Sequence, residues 1–110
     1  MPELPEVETV CRALSKVIKN SRIKKIEFYD KDKTLVGQIE NKPGSLGSIK
    51  VYHHLWRVFG QLNLDAAVEG LDLYSEHTED AQNHPGKHPN IDRLLDIIET
   101  EEVFSIKLIK

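Results

Sequence analysis

The sequence predicts an α+β domain: a small three-stranded, mostly antiparallel sheet covered on one face by about four helices, in the order αββαααβ. Three observations predict it. Apolar residues recur every three or four positions in four separate stretches, the mark of amphipathic helices. They alternate with polar residues around Ile26 and Phe28 and at Phe104, Ile106 and Leu108, the mark of strands with one buried face. Clusters of Asp, Asn, Gly and Pro separate these stretches. At 110 residues the chain has room for one modest core, so residues 1–110 read as a single domain.

Val7, Val10, Cys11, Leu14, Val17 and Ile18 form one apolar face of a helix over residues 5–19, ended by Asn20 and Ser21. Residues 22–29 and 34–40 read as strands of a hairpin, joined by the turn Asp30-Lys31-Asp32-Lys33. Residues 41–48 hold two glycines and a proline and form a loop. Ser48 is placed to cap a second helix with face Ile49, Tyr52, His53, Trp56 and Phe59, stopped by Gly60. Asn63 is placed to cap a third helix reaching about Ala81, with Leu64, Ala67, Val68, Leu71, Tyr74 and Ser75 inward. Gly70 inside it marks close packing at a cost of about 1 kcal/mol in helix propensity. After a break at residues 84–89, Asn90 caps a fourth helix with Ile91, Leu94, Leu95 and Ile98 inward, and a last strand follows. There is no internal repeat and no low-complexity segment.

Composition is that of a soluble protein: 39% hydrophobic and 30% charged, with no apolar run of membrane-spanning length and no signal-peptide pattern. A cytoplasmic location and no membrane partner are expected. The single Cys11 excludes an internal disulfide and any CxxC zinc module. The net charge of −3 hides an asymmetry: residues 1–60 carry 11 Lys/Arg against 7 Asp/Glu, and residues 61–110 carry 4 against 11. Lys16, Lys19, Arg22, Lys24 and Lys25 form a basic cluster able to meet phosphates. A solvated helix end explains the same cluster, and the acidic half opposes a duplex lying across both halves.

The chain opens MPELPEVETV. Removal of Met1 leaves Pro2 with a secondary α-amine, part of it neutral and nucleophilic near pH 7. Attack on a sugar C1′ gives an iminium ion, the electron sink that lysine Schiff bases provide elsewhere. Glu3 adjoins that amine and Glu6 follows one helical turn on, so two carboxylates can divide acid and base roles. Proline and acids also make an ordinary helix start. This stretch, and less tightly the sequence on to Ile26, closely resembles the beginning of the formamidopyrimidine-DNA glycosylase family. The resemblance implies DNA glycosylase and abasic-site lyase activity with Pro2 as nucleophile, Glu3 as proton shuttle and Glu6 in support, with DNA as partner. It ends near Glu27. That family's helical DNA clamp and four-cysteine finger have no counterpart in 110 residues with one cysteine.

From about Lys24 on, the segments IENKPGS (39–45), EHTEDA (76–81) and PGKHPNID (85–92) resemble a small uncharacterised bacterial family of about this length. That resemblance implies no known activity. The alternative function is therefore a non-enzymatic binding or interaction domain. Its ligand-contacting residues are expected in the 41–48 loop and the histidine-rich segment: Asn41, Lys42, Gly44, Ser45, His77, Asp80, His88, Asn90 and Asp92. The loop lacks both the GxxxxGK[ST] and GxGxxG phosphate patterns. Glu76, His77, Glu79, Asp80, His84, His88 and Asp92 fall within seventeen residues and are of types that suit zinc, iron or nickel. Their spacing crosses a Pro-Gly break and matches no metal signature, so no metal and no other cofactor is expected.

Overall fold

The computed structural model describes residues 23–110. Asp30 accepts backbone hydrogen bonds from Asp32 and Thr34, each 2.9 Å, on one carboxylate oxygen. This closes the turn between β1 (Lys25–Tyr29) and β2 (Leu35–Glu40), the expected antiparallel hairpin. A register shift opposite Phe28 and Tyr29 leaves Val36 as the extra residue of a bulge. Beyond the 41–45 loop, α1 (Leu46–Phe59) ends at Gly60, whose φ of 75° and N–H bond to the Trp56 carbonyl make the left-handed cap that favours glycine.

Next come β3 (Gln61–Leu62), α2 (Leu64–Tyr74), α3 (Glu76–Asn83), α4 (Pro89–Thr100) and β4 (Phe104–Ile109). The sheet order is β2-β1-β4-β3, antiparallel throughout. Ile26, Phe28, Ile39, Leu62 and Ile106 bury the inner face under the helices. On the outer face Glu27 accepts from the Tyr29 hydroxyl (2.6 Å) and pairs with Lys25 (3.0 Å). Those two bonds hold its carboxyl below the usual range, the tyrosine's contributing most. The neighbouring Gln38 and Lys107 are exposed, while Glu27 between them is buried.

The α+β class holds, and the element order differs from expectation. The sheet has four strands, not three. β3 is only two residues long, too short to show alternation, yet it pairs Gln61 with Ser105 and Leu62 with Phe104 and buries Leu62 completely. The single helix expected over 63–81 is two helices. Ser75 takes φ 60°, and its N–H bonds to the Leu71 and Asp72 carbonyls, which closes α2. The Thr78 hydroxyl takes up the Leu71 carbonyl again at 2.7 Å as α3 begins. No glycine or proline marks that break. Two expected caps also shift. Asn63 caps α2 as expected, accepting from Ala66 N–H at 2.9 Å. Ser48 instead lies inside α1, whose cap is Ser45, and Asn90 lies inside α4, whose cap is His88 followed by Pro89. The expected helix over residues 5–19 lies outside the described residues.

The helices meet at two places. Tyr52 of α1 is fully buried, edge-on to Phe28 with ring centroids 5.1 Å apart, and its hydroxyl donates to the Asn90 carbonyl of α4. Burial pushes its pKa up to about 12, so it stays a neutral donor. At Gly70 of α2 an added Cβ meets Leu94 of α4 at 2.7 Å and Leu55 of α1 at 3.1 Å. The glycine therefore sets how closely three helices approach.

Gly70→Ala should destabilise the fold by about 1–2 kcal/mol, because overpacking of about 1–3 kcal/mol outweighs the propensity gained. Leu94→Ala alone should cost about 2–5 kcal/mol. In the double variant the added methyl occupies space that Leu94 vacates, so the two costs should sum to more than the measured total. Urea unfolding of the four proteins checks this coupling.

Candidate functional site

The residues expected to contact a ligand fall into two groups, the 41–48 loop and the 77–92 segment. Ser48 and Tyr74 share a hydroxyl–hydroxyl hydrogen bond of 2.6 Å, tying the start of α1 to the end of α2. Tyr52 ties α1 to the first turn of α4 through the Asn90 carbonyl. These two bonds join α1, which follows the 41–45 loop, to α2 and α4.

The loop's polar groups are spent on its own shape. Asn41 Nδ2 donates to the Ile23 carbonyl (2.7 Å) and Lys42 pairs with Glu40 (2.9 Å). Ser45 Oγ accepts from Lys42 N–H and donates to the Glu40 carbonyl. Gly44 sits at φ 97° with open space around it, so its role is the turn.

In the second group Asp80 is the hub. His88 Nε2 lies 2.6 Å and Lys87 Nζ 3.3 Å from one carboxylate oxygen, and His84 Nδ1 lies 3.2 Å from the other. The His88 bond, then Lys87, hold the Asp80 carboxyl below the usual range. Asp92 accepts from Gly86 N–H at 2.9 Å, fixing the loop that enters α4. Asn90 Oδ1 accepts from Arg93 Nη1 at 3.1 Å. His77 is not part of the Asp80 hub, and its buried Nε2 has no hydrogen-bond partner among the described residues. Among the described residues, no group of three or more His, Cys, Asp or Glu is arranged to hold a metal ion.

Two features have no place in the sequence reading. Arg93 lays its guanidinium 4.4 Å over the Phe28 ring and 5.5 Å from Tyr52, with Nη2 only 3.1 Å from where a Cβ on Gly37 would stand. Among the described residues it has no carboxylate partner, and it acts as a strut between α4, α1 and the sheet. The second feature is an open groove of about 830 Å³ between α2 and α4, closed at one end by Gln82 and Pro85. Val68, Leu71, Leu95 and Ile98 make its floor; Asp92, Asp96 and Glu99 line its α4 side. Val68 is 56% exposed and Ile98 37%, although helical spacing assigns both to the core. What the helices bury instead is Ala66, Ala67 and Gly70 on α2 and Ile91, Leu94 and Ile97 on α4. Hydrophobic period alone does not distinguish a buried stripe from one at the edge of a contact. Asp92 is the one expected ligand-contacting residue that also lines the groove.

Pro2, Glu3 and Glu6, with Lys16, Lys19 and Arg22 of the basic cluster, lie outside the described residues. Of the remaining two cations, Lys24 is exposed and Lys25 is engaged by Glu27. No helix among the described residues is long and apolar enough to cross a membrane.

A family described as "Uncharacterized protein conserved in bacteria (DUF2322)" matches residues 11–108. The chain belongs to this family. The match starts at residue 11 rather than near Lys24, so most of the sequence over which the glycosylase resemblance loosens is family sequence. Residues 1–10, with the opening motif, fall outside it. No curated protein and no solved structure matches the chain. The Asp80 hub and the groove therefore both lie within the family's own domain.

The Asp80 contacts give a signed pH dependence. Its carboxyl is more acidic folded than unfolded, so its stabilisation is present above the unfolded value of about 4 and is lost as pH falls through the folded value. Asp80→Asn should lower the urea midpoint at pH 7 and should flatten the fall in stability below about pH 4. Midpoints measured from neutral to acid pH on both proteins check it.

Proposed function

We propose that the chain is a non-enzymatic interaction domain that receives a segment of a partner protein in the groove between α2 and α4. One observation carries this reading: the apolar floor of Val68, Leu71, Leu95 and Ile98 stands open between two helices, with Val68 and Ile98 exposed on it. Exposed apolar strips rimmed by polar groups are a usual form of protein-binding surface. Two parallel ridges of side chains with a trough between them suit a helix laid lengthwise, the geometry of helix-in-groove recognition. The Asp80 hub supports it by fixing the 84–88 loop, which brings Pro85 to the end of the groove. The 41–48 loop, with its polar groups bonded within the loop and to Glu40 and Ile23, serves as scaffold.

The rival chemistry is a Schiff-base lyase through Pro2, with Glu3 and Glu6, resting on the ten-residue opening motif. The two readings separate experimentally. Peptides selected from a random library against the full chain should bind it, and should lose at least about tenfold in affinity for Val68→Glu/Ile98→Glu, since a charge placed on an apolar contact costs more than 1.4 kcal/mol. Both side chains are solvent-exposed, so circular dichroism and the urea midpoint should change little. Borohydride should trap no adduct between the protein and an abasic oligonucleotide, with N-terminal mass read in parallel to establish whether Pro2 is free. Selected peptides indifferent to the double substitution would remove the groove reading. A trapped adduct that disappears when the N-terminus is extended would install the lyase in its place.

A further inference from the structure

We infer that the partner segment is a cationic amphipathic helix, one that sets Lys or Arg beside its apolar anchors; this inference rests on the groove reading above. The charge on the groove is one-sided. Asp92, Asp96 and Glu99 stand at i, i+4 and i+7 on α4, a single stripe along the groove, and among the described residues no Lys or Arg lines it. Asp92 is partly committed to Gly86 N–H. Asp96 and Glu99 form no hydrogen bond or ion pair with any described residue. Like charges at this spacing repel within a helix, so the stripe weakens α4 by a few tenths of a kcal/mol per pair when nothing faces it.

The end of α4 points the same way independently. A helix C-terminus carries partial negative charge and favours cations. α4 has no basic residue in its last turn and instead carries Glu99, followed by Glu101 and Glu102. Carboxylates and helix dipole therefore add at this end, and α4 itself supplies no cation there. Beside this negative edge, Leu95 and Ile98 of α4 face Val68 and Leu71 of α2, each pair spaced i, i+3. A partner helix with apolar residues at i, i+3 and i+7 meets both pairs, and its flanking cations reach Asp96 and Glu99. A neutral apolar helix fits the floor but leaves the carboxylates unpaired. An anionic one is repelled.

The test uses the full chain and three designed helical peptides with identical Leu anchors at i, i+3 and i+7, differing only in Lys, Gln or Glu at the flanking positions. Fluorescence anisotropy with labelled peptides should rank them Lys, Gln, Glu in falling affinity. The Lys–Glu gap should be about tenfold or more at low salt and should shrink steeply as ionic strength rises past the point where the Debye length is about 10 Å. Asp96→Asn/Glu99→Gln touches no contact within the described residues and should cut Lys-peptide affinity by about five- to tenfold while leaving the Gln peptide unchanged. Equal affinities for all three peptides, insensitive to salt but abolished by Val68→Glu/Ile98→Glu, would overturn the charge inference and leave the groove reading standing. Lys-peptide binding that ignores Val68→Glu/Ile98→Glu would overturn both.

Discussion

The buried Tyr52 is the contact on which the rest of the arrangement depends. It is a large amphipathic side chain on the face of α1 that meets the sheet, and its ring is placed against Phe28 before its hydroxyl finds a partner. A phenol with no solvent contact must donate or lose a few kcal/mol, and the acceptor it reaches is the Asn90 carbonyl in the first turn of α4. α4 needs that anchor, because its cap residue His88 provides no side-chain cap bond. Arg93, one turn on, covers the same two rings and returns to Asn90 through Nη1. Its charge is accommodated by ring faces and neutral oxygens, and the missing side chain at Gly37 leaves room for it against the sheet.

With one end of α4 fixed by Tyr52, Gly70 fixes its distance from α2. The methyl groups of Leu94 and Leu55 occupy the place of a Cβ, so the two helices approach closely at that level. Close approach at Gly70 commits Ala66, Ala67, Leu94 and Ile97 to the interior. A helix stripe can face one neighbour at a time, so Val68, Leu95 and Ile98 are left at the margin of the contact. The groove is thus a consequence of the packing that makes the core.

That history explains which parts could be read from sequence. Local chemistry was legible: the Asp30 turn, the left-handed Gly60 cap, the Asn63 cap and the alternation of β4 each need only a few adjacent residues. Tertiary decisions were not. β3 is two residues recruited by β4, and the Ser75 break is made by backbone bonds to Leu71 and Asp72 inside an unbroken apolar pattern. Ser48 and Asn90 have capping chemistry but are used for tertiary hydrogen bonds, while Ser45 and His88 hold the caps. The 76–92 segment was legible as a polar cluster, and Asp80 is its hub. The groove floor was invisible because Val68 and Ile98 have the spacing of core residues.

The charge asymmetry of the chain gains a location from the fold. Five of the eleven acids of residues 61–110 lie on α4 or just past it, and Glu99, Glu101 and Glu102 stand at its negative end, where they oppose local stability. Several acids elsewhere are matched: Glu27 by Lys25 and Tyr29, Asp80 by Lys87 and His88, Glu69 by His54. Asp96 and Glu99, without an ion pair among the described residues, stand beside an exposed apolar floor on a helix whose end already carries negative charge, a local departure from what helix preference favours. Departures of that kind concentrate at functional sites, where consistency between local preference and fold is relaxed for the sake of an external partner. Apolar floor and unpaired acid are each unremarkable alone, since surfaces carry many of both. Their coincidence along two turns of one helix gives the groove a direction and a sign, and both are complementary to a cation-bearing amphipathic helix.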